Sequence, residues 1–211
     1  MSAAFSANRP LHALLLLYAL IWTGTAIAPR DLPTWVLENL LALCFVGLLV
    51  VTYRRFPFSN LSYLLIAVFL SLHAIGANTG YAHAPIGDWL KNAFGLSRNP
   101  YDRVAHFAFG FLLAYPVREI LVRAAGVRGP VANWLALSLI VAASTCFEII
   151  EAAVAEIVSP GTGPSWLGAQ GDEWDAQLDM SASLFGAALV MLITMVVERI
   201  CRDNLKSSQS R

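Results

Sequence analysis

Acidic and imidazole side chains in the second half of the chain have the residue types of a metal site or an acid–base pair. Carboxylate oxygens together with one imidazole suit Zn²⁺, Mn²⁺ or Mg²⁺, and a metal-activated water could attack a phosphate or an ester. Without a metal, crowded carboxyl groups could supply a general acid and a general base. The candidate catalytic residues are Asp102, His106, Glu148, Glu151, Asp172, Asp175 and Asp179. Among them, the candidate metal ligands are His106, Glu151, Asp175 and Asp179.

The spacing of these residues predicts that helices present them. Within each of three groups the members lie three or four positions apart, which places them on one face of a helix. The groups are Asp102 with His106, Glu148 with Glu151, and Asp172 with Asp175 and Asp179. Three helices must therefore bring the groups together.

Composition indicates what kind of helices these are. The 211 residues are 57% hydrophobic and 13% charged, with a mean hydropathy of +0.62, whereas soluble domains contain roughly 25% charged residues. A bilayer crossing uses about 20 apolar residues, and its backbone groups must be satisfied within the helix. We therefore expect an all-α bundle of about six transmembrane helices, at roughly Leu11–Ala28, Trp35–Tyr53, Leu61–Asn78, Val104–Val122, Ala132–Ile157 and Leu178–Ile200.

The distribution of Lys and Arg sets the expected orientation. If the N-terminus is cytoplasmic, ten of these residues lie on the inner side and four on the outer side, as the positive-inside rule requires. Both termini are therefore predicted to be cytoplasmic. The first apolar segment imitates a secretory signal with a cleavage site at Ala26–Ala28, but its apolar run is longer than the usual 7 to 15 residues or so. We expect it to be retained as a span.

Charge and cysteine usage exclude other classes of protein. The net charge is zero, and no basic block exceeds what the topology explains, which argues against a nucleic-acid partner. Cys44, Cys146 and Cys201 have no spacing typical of a zinc or redox motif. We expect all three to be inert.

The predicted topology places the polar groups of all three helices in the outer half of the bilayer. Ionisable residues within spans usually mark a site or a pathway, so we expect a polar, outward-opening cleft. Two alternatives stay open: Glu148 and Glu151 as neutral carboxyl groups bonded to neighbouring helices, and Asp102 and Asp179 as helix N-terminal caps. Two further polar residues are interpreted as structural, His73 as interfacial and Glu38 as solvated.

Small residues and long connections complete the expected architecture. Small-xxx-small pairs predict close packing of the last three spans, and they are Gly110 with Ala114, Ser138 with Ala142, and Ala182 with Gly186. Thr79–Tyr101 and Val158–Gln177 are predicted to be long outward-facing loops, the second a lid over the site.

We expect one integral-membrane domain, residues 1–201. Residues 1–78 supply three scaffold helices and residues 98–200 supply the three helices of the polar site. A polar cytoplasmic tail, 202–211, has a composition that favours disorder. The sequence leaves the oligomeric state open.

Three stretches of sequence resemble the YjdF family of bacterial inner-membrane proteins, whose function is unknown. They are WLGAQGDEWDAQLDM at 166–180, YDRVAHF at 101–107 and CFEIIE at 146–151. The resemblance implies a multi-pass protein of the bacterial inner membrane. The order of D-x-x-x-H, acidic span and D-rich stretch before Gly186–Ala187 is more distantly similar to the VanZ-like family, associated with glycopeptide resistance. By analogy, that similarity points toward lipid-linked envelope substrates.

Three functional hypotheses follow. The first is a membrane-embedded, metal-dependent hydrolase that acts at the outer leaflet on a lipid or lipid-linked substrate. The second is a proton- or cation-coupled transporter, against which stand the lack of repeated halves and the placement of the polar groups away from the midplane. The third is a non-catalytic envelope factor in which the carboxylates matter only for folding.

Overall fold

The described part of the chain is entirely helical apart from its turns and connections. The computed structural model describes residues 5–158 and 170–209. In these ranges the α-helices are α1 (Arg9–Thr25), α2 (Leu32–Thr52), α3 (Asn60–Thr79), α4 (Pro85–Phe94), α5 (Tyr101–Arg123), α6 (Pro130–Val158) and α7 (Asp175–Gln209). Short 3₁₀ helices at Phe5–Ala7 and Tyr81–His83 precede α1 and α4. The prediction of an all-α bundle is confirmed.

Five of these helices are long and apolar enough to cross a membrane, namely α2, α3, α5, α6 and α7. The sixth predicted span, α1, has only 17 residues. It nevertheless runs parallel to α3 over the same depth. At the N-terminal ends of the two helices, the Asn8 side-chain amide donates a hydrogen bond to Asn60 Oδ1 at 2.8 Å. At their C-terminal ends, the Asn78 side-chain amide donates to the Thr25 carbonyl at 2.7 Å. We therefore retain the expectation of six spans.

The closest helix pair is α5 with α7, which pack through glycines. A Cβ atom on Gly110 would lie 1.9 Å from the Ser183 carbonyl oxygen, and one on Gly186 would lie 2.2 Å from the Phe107 carbonyl oxygen. Only hydrogen fits at either position, so the two backbones touch. The small-residue pairs that include Gly110 and Gly186 predicted this contact.

The connection at 79–101 is not the irregular loop that was predicted, because it contains the 3₁₀ helix and α4. Pro85 starts α4, and Gly95 ends it in the left-handed conformation, a usual helix terminator. Trp89 and Phe94 on α4 are exposed, an arrangement typical of helices that lie in a membrane interface. The connection is therefore a folded element rather than a flexible loop.

Asn99 fixes α4 to the start of α5. Its side-chain amide donates to the Ala84 carbonyl at 3.0 Å and to Asp88 at 2.9 Å, and its Oδ1 accepts from the Tyr101 amide at 3.0 Å. Gly87 lies directly against this side chain, since a Cβ there would be 1.7 Å from Asn99 Oδ1. The N-terminus of α5 is thus held in place.

Partly buried polar contacts join the helices at the opposite end of the bundle. Glu119 on α5 accepts two hydrogen bonds of 2.8 Å from Ser59 and a third from Ser62. Arg118 pairs with Glu198 of α7. The Glu198 side chain is 43% exposed, so its carboxylate binds this guanidinium while still in contact with the surroundings.

The polar tail continues α7 as far as Gln209, so the expectation of disorder is wrong for residues 202–209. Its side chains are exposed through residue 208. A long helix can extend beyond the bundle because each new residue adds a backbone hydrogen bond to a helix already nucleated. The division of the chain into scaffold, site helices and tail remains a prediction.

Candidate functional site

The predicted site residues converge at one end of the bundle, called here the site end. This end contains the starts of α5 and α7 and the end of α6. The residues concerned are Asp102 and His106 on α5, Glu148 and Glu151 on α6, Asp175 and Asp179 on α7, and Asp172 just before α7. That the site end faces outward remains a prediction.

The centre of the site is a group formed by His106, Glu148 and Asp179. One ligand atom from each lies within 4.8 Å of the others. His106 Nε2 is 3.3 Å from Glu148 Oε1 and 3.7 Å from Asp102 Oδ1. Three different helices contribute the group, so its geometry depends on the packing of α5, α6 and α7.

Asp179 is the most buried carboxylate of the site. Its relative exposure is 2%, and within the described residues its Oδ1 atom has no hydrogen-bond partner. A buried carboxylate without a partner is costly, because burial removes the water that solvates it. Asp179 therefore points to a proton or a cation at this position.

Two buried serines lie beside His106. The Ser183 hydroxyl donates to the His106 carbonyl at 3.0 Å and lies 3.5 Å from Nδ1, while Ser144 donates to Ser183 at 3.0 Å. Ser183 therefore lies on the Nδ1 side of the ring, and Nε2 lies toward Glu148. Metal-binding histidines commonly have a polar partner on the ring nitrogen that does not bind the metal.

A second acidic group lies beside the first and shares Asp179 with it. It consists of Asp102, Asp175 and Asp179, again with one ligand atom from each within 4.8 Å of the others. Asp175 already has a cation close by, since Arg98 forms an ion pair with it. The positive charge of this guanidinium thus offsets part of the negative charge of the group.

Arg98 and Arg103 form a clamp with Asp172 and Asp175, called here the arginine clamp. Arg103 pairs with Asp172, and its guanidinium is 3.6 Å from Asp175. Burial alone would lower the pKa of Arg98, but the hydrogen bond and negative charge of Asp175 raise that pKa above its ordinary value. Hydrogen bonds from the Trp174 amide and from Arg103 lower the pKa of Asp172. The clamp therefore stays ion-paired at neutral pH.

Gln170 makes a neutral contact next to the arginine clamp. Its side-chain amide accepts from the Asn99 backbone amide at 3.1 Å and donates to the Asn99 carbonyl at 3.0 Å. The segment before α7 is thereby tied to the start of α5. Of the predicted lid, residues 159–169 lie outside the described residues.

Replacing Asp172 with alanine should increase amide hydrogen exchange at Gln170–Trp174 several-fold, because Arg103 and the Trp174 amide both lose their acceptor. Glu173→Ala is the matched control, since Glu173 is exposed. The lowered pKa of Asp172 means that its contribution is complete above the unfolded value of about 3.9 and is lost as pH falls through the folded value. Hydrogen-exchange mass spectrometry should therefore show the same ratio of exchange rates between Asp172→Ala and Glu173→Ala at every pH from 5 to 8. Equal exchange in the two variants would contradict the clamp.

The charges of the site do not balance within the described residues. Six carboxylates face two guanidinium groups, those of Arg98 and Arg103. The carboxylates are Asp102, Glu148, Glu151, Asp172, Asp175 and Asp179. Like charges crowded in a poorly hydrated site repel strongly, so the cluster favours uptake of a cation or of protons.

A cavity of about 390 Å³ adjoins the acidic cluster and extends between α2, α3, α5 and α6. Asp102, His106 and Glu151 line its site end. Glu38 of α2 also lines it, so the interpretation of Glu38 as solvated is wrong: helix packing turns the residue toward the cavity. The volume lies in the range of about 300 to 1,000 Å³ that is usual for small-molecule sites.

His73 lies in the cavity wall and is fully engaged. The Tyr81 hydroxyl donates to His73 Nδ1 at 2.7 Å, and Nε2 donates to the Glu38 carbonyl at 3.2 Å. This arrangement fixes the tautomer and ties α2, α3 and the 3₁₀ helix together. His73 is therefore better described as a bridging side chain than as an interfacial one.

Sequence reasoning missed Arg98 and Arg103 as parts of the site. Both were counted only as charges that set the orientation. The position of Arg103 directly after Asp102 was an available signal, since a cation beside a candidate carboxylate often pairs with its neighbours. Arg98 offered no such signal, because its partner Asp175 is 77 residues away.

Comparison with known proteins identifies the family of the chain. The family model described as "Predicted membrane protein (DUF2238)" matches residues 10–199. The chain belongs to this family. It is 39% identical over 181 residues to the inner membrane protein YjdF of Escherichia coli (strain K12), and the match covers 85% of each chain. No solved structure matches.

The family model covers the chain from the start of α1 to residue 199 in α7. It therefore includes α5, α6 and the part of α7 that carries the site of this DUF2238 member. The predicted YjdF-family resemblance is confirmed, as is a multi-pass protein of the bacterial inner membrane. The more distant similarity to the VanZ-like family stays a prediction.

Proposed function

We propose that this protein is a membrane-embedded, metal-dependent hydrolase that acts on a lipid-linked or envelope substrate at the outer leaflet. The observation that carries the proposal is the buried Asp179 beside His106 and Glu148, whose Oδ1 atom has no hydrogen-bond partner among the described residues. An acidic cluster alone is common in proteins. A carboxylate that is 2% exposed and has an oxygen without a partner among the described residues needs a cation or a proton.

The donor set fits a divalent ion. His106 Nε2 with one oxygen each from Glu148 and Asp179 gives three protein ligands, and Zn²⁺ in catalytic sites commonly has three with water in the open position. Mn²⁺ or Mg²⁺ would accept the same oxygens with added water. This set retains His106 and Asp179 from the sequence-based ligands and replaces Glu151 with Glu148.

The remaining acidic residues then have separate roles. Asp175 is held by Arg98, which leaves it as a charge partner rather than a ligand. Glu151 lines the cavity beside Asp102, where its carboxylate could accept a proton from an attacking water. A bound ion would supply Lewis acidity and an activated water, and the cavity would hold the ester or phosphoester to be cleaved.

A carrier is less well supported than an enzyme. Below the site, buried apolar side chains of α3, α5, α6 and α7 pack into one core, which includes Leu70, Leu113, Ile140 and Met191. The members of this core that lie outside the cavity lining, among them Ile66, Ala114, Ile140 and Met191, separate the acidic residues from the polar contacts at the opposite end. A transported ion would need a path through it.

Metal analysis of purified protein tests the proposal. We expect a stoichiometric divalent ion in the wild type and in His83→Ala, and loss of the ion in His106→Ala. His83 is a suitable control because it is an exposed histidine. Glu148→Gln should behave as His106→Ala does, whereas Glu156→Gln, an exposed position on the same helix, should retain the ion.

The reaction class needs a second assay. Metal-loaded protein incubated with a bacterial inner-membrane lipid extract should release a water-soluble headgroup fragment, detected by mass spectrometry, and EDTA should stop the release. A wild type without bound metal, or equal metal in His106→Ala and His83→Ala, would overturn the metal site. Bound metal with no hydrolysis of any lipid in the extract would overturn the hydrolase assignment.

A further inference from the structure

The wall of the cavity contains residues that are also exposed on the outside of the bundle. Leu41 of α2 and Ile150 of α6 both line the cavity, yet their relative exposures are 54% and 57%. Cys146, another lining residue of α6, is exposed as well. The high exposure of these three lining residues indicates that the cavity is open to the surroundings on this side.

The opening lies between α2 and α6. Within the described residues, α2 packs mainly against α3, and α6 packs against α5 and α7. The two helices therefore flank the cavity without closing it. Leu41 is nine residues from the start of α2 and Ile150 is eight from the end of α6, which at 1.5 Å per residue puts both about 12 to 14 Å from the site end.

This depth places the opening within the hydrocarbon region rather than at the aqueous surface. Both flanking helices have the length and hydropathy of membrane spans, and the hydrocarbon core is about 30 Å thick. What enters between two spanning helices at that depth comes from the lipid. A water-soluble ligand would have to cross apolar side chains to reach the same space.

The cavity is polar at one end and apolar along the rest of its wall, as a bilayer lipid is polar at its headgroup and apolar along its chains. At the site end it presents Asp102, His106 and Glu151, next to the group proposed to hold a metal. Away from that end its wall is formed by buried apolar residues, Ala42, Leu70 and Leu113, which are 5% to 8% exposed. An occupant with a polar head and a hydrocarbon chain matches both ends.

We propose that the opening between α2 and α6 is a lateral entrance through which the acyl chain of a membrane lipid occupies the cavity, with its headgroup beside Asp102, His106 and Glu151. This inference rests on the proposed hydrolase function and names its substrate class as a bilayer amphiphile. Entry of the chain from the side lets the scissile headgroup reach the acidic cluster without leaving the membrane. The α2 helix then serves as one wall of the substrate site.

Photo-crosslinking in nanodiscs tests the proposal. The probe is a phosphatidylethanolamine that carries a diazirine near the end of one acyl chain, and adducts are mapped by peptide mass spectrometry. We expect adducts on Leu70 and Leu113, which are buried in the cavity wall and shielded from surrounding lipid. Adducts confined to outward-facing residues would overturn the proposal, and this comparison needs no variant.

Matched tryptophan variants sharpen the test. Leu41→Trp combined with Ile150→Trp should obstruct the entrance and reduce labelling of Leu70 and Leu113 to background. The control combines Leu43→Trp with Ile149→Trp. Those positions are similarly exposed, at 54% and 63%, but do not belong to the cavity lining, so labelling should stay at the wild-type level. Equal labelling in the two double variants, both verified as monodisperse, would overturn the lateral entrance.

The lipid test and the metal test fail independently. If the wild type contains no metal but Leu70 and Leu113 are labelled, the lipid site stands and the hydrolase proposal is overturned. If metal is bound normally and these residues are never labelled, the hydrolase must take its substrate by another route. The obstructed variant should retain wild-type metal content, because neither replaced residue belongs to the His106 group.

Discussion

Asp179→Asn is expected to change stability in opposite directions with and without metal. In the presence of EDTA the variant should unfold at a temperature equal to or higher than the wild type, because asparagine has nearly the same volume and removes a charge from a crowded acidic cluster. With a saturating divalent ion the order should reverse, since the wild type gains binding free energy that the variant cannot. At a free ion concentration 100 times Kd, that gain is about 2.7 kcal/mol.

The affinity for the ion should fall by more than about 100-fold in Asp179→Asn. Even the replacement of a group that only orients a metal ligand typically lowers metal affinity about 10- to 100-fold. Thermal unfolding in detergent, followed with and without EDTA, measures the reversal, and isothermal titration measures the affinity. The matched control is Asp203→Asn, an exposed position on the same helix, which should leave both quantities unchanged. A variant destabilised equally under both conditions would show that Asp179 is a structural residue and would contradict the metal site.

Gly110→Ala should disrupt the bundle and the site together. The added Cβ would lie 1.9 Å from the Ser183 carbonyl oxygen and 2.9 Å from the Ala187 amide nitrogen, and both are backbone atoms that cannot rotate away. The two helices must separate, and overpacking of this kind typically costs about 1 to 3 kcal/mol or more. Separation also moves His106, one turn earlier on α5, away from Asp179 on α7.

Gly47→Ala is the control for this substitution. A Cβ at Gly47 would meet nothing within 4 Å, so alanine there should be neutral or slightly stabilising, as expected from its better helix propensity. The measurements are the unfolding temperature and the metal content of each variant. Equal stability of Gly110→Ala and Gly47→Ala would contradict the close contact between α5 and α7.

The bundle itself could be predicted from the sequence because its signals are local. Apolar runs of span length identify the helices, and small residues four apart identify the contact between α5 and α7. The convergence of Asp102, Glu148 and Asp179 at one end also follows, since alternating spans return the chain to the same side. Each of these inferences needs only the order of the residues and the length of a helix.

Features that depend on helix rotation could not be predicted in this way. Glu38 was expected in solvent because it lies near a span end, but the packing of α2 against α3 turns it toward the cavity. The choice of Glu148 over Glu151 as the partner of His106 depends on how far α6 is shifted along its axis relative to α5, because the two residues lie on one face of the helix, nearly one turn apart. The pairing of Arg98 with Asp175 joins residues far apart in sequence, and no local sequence pattern predicts it.

Pulsed electron paramagnetic resonance of Mn²⁺ bound to the purified protein tests the proposed metal centre most directly, because it reports the ligand atoms of the ion. The wild type and His83→Ala should bind one Mn²⁺ whose spectrum shows nitrogen coupling from a single imidazole. His106→Ala should lose that coupling or lose the ion. A spectrum of aqueous Mn²⁺ in the wild type, or nitrogen coupling that persists in His106→Ala, would contradict the site formed by His106, Glu148 and Asp179.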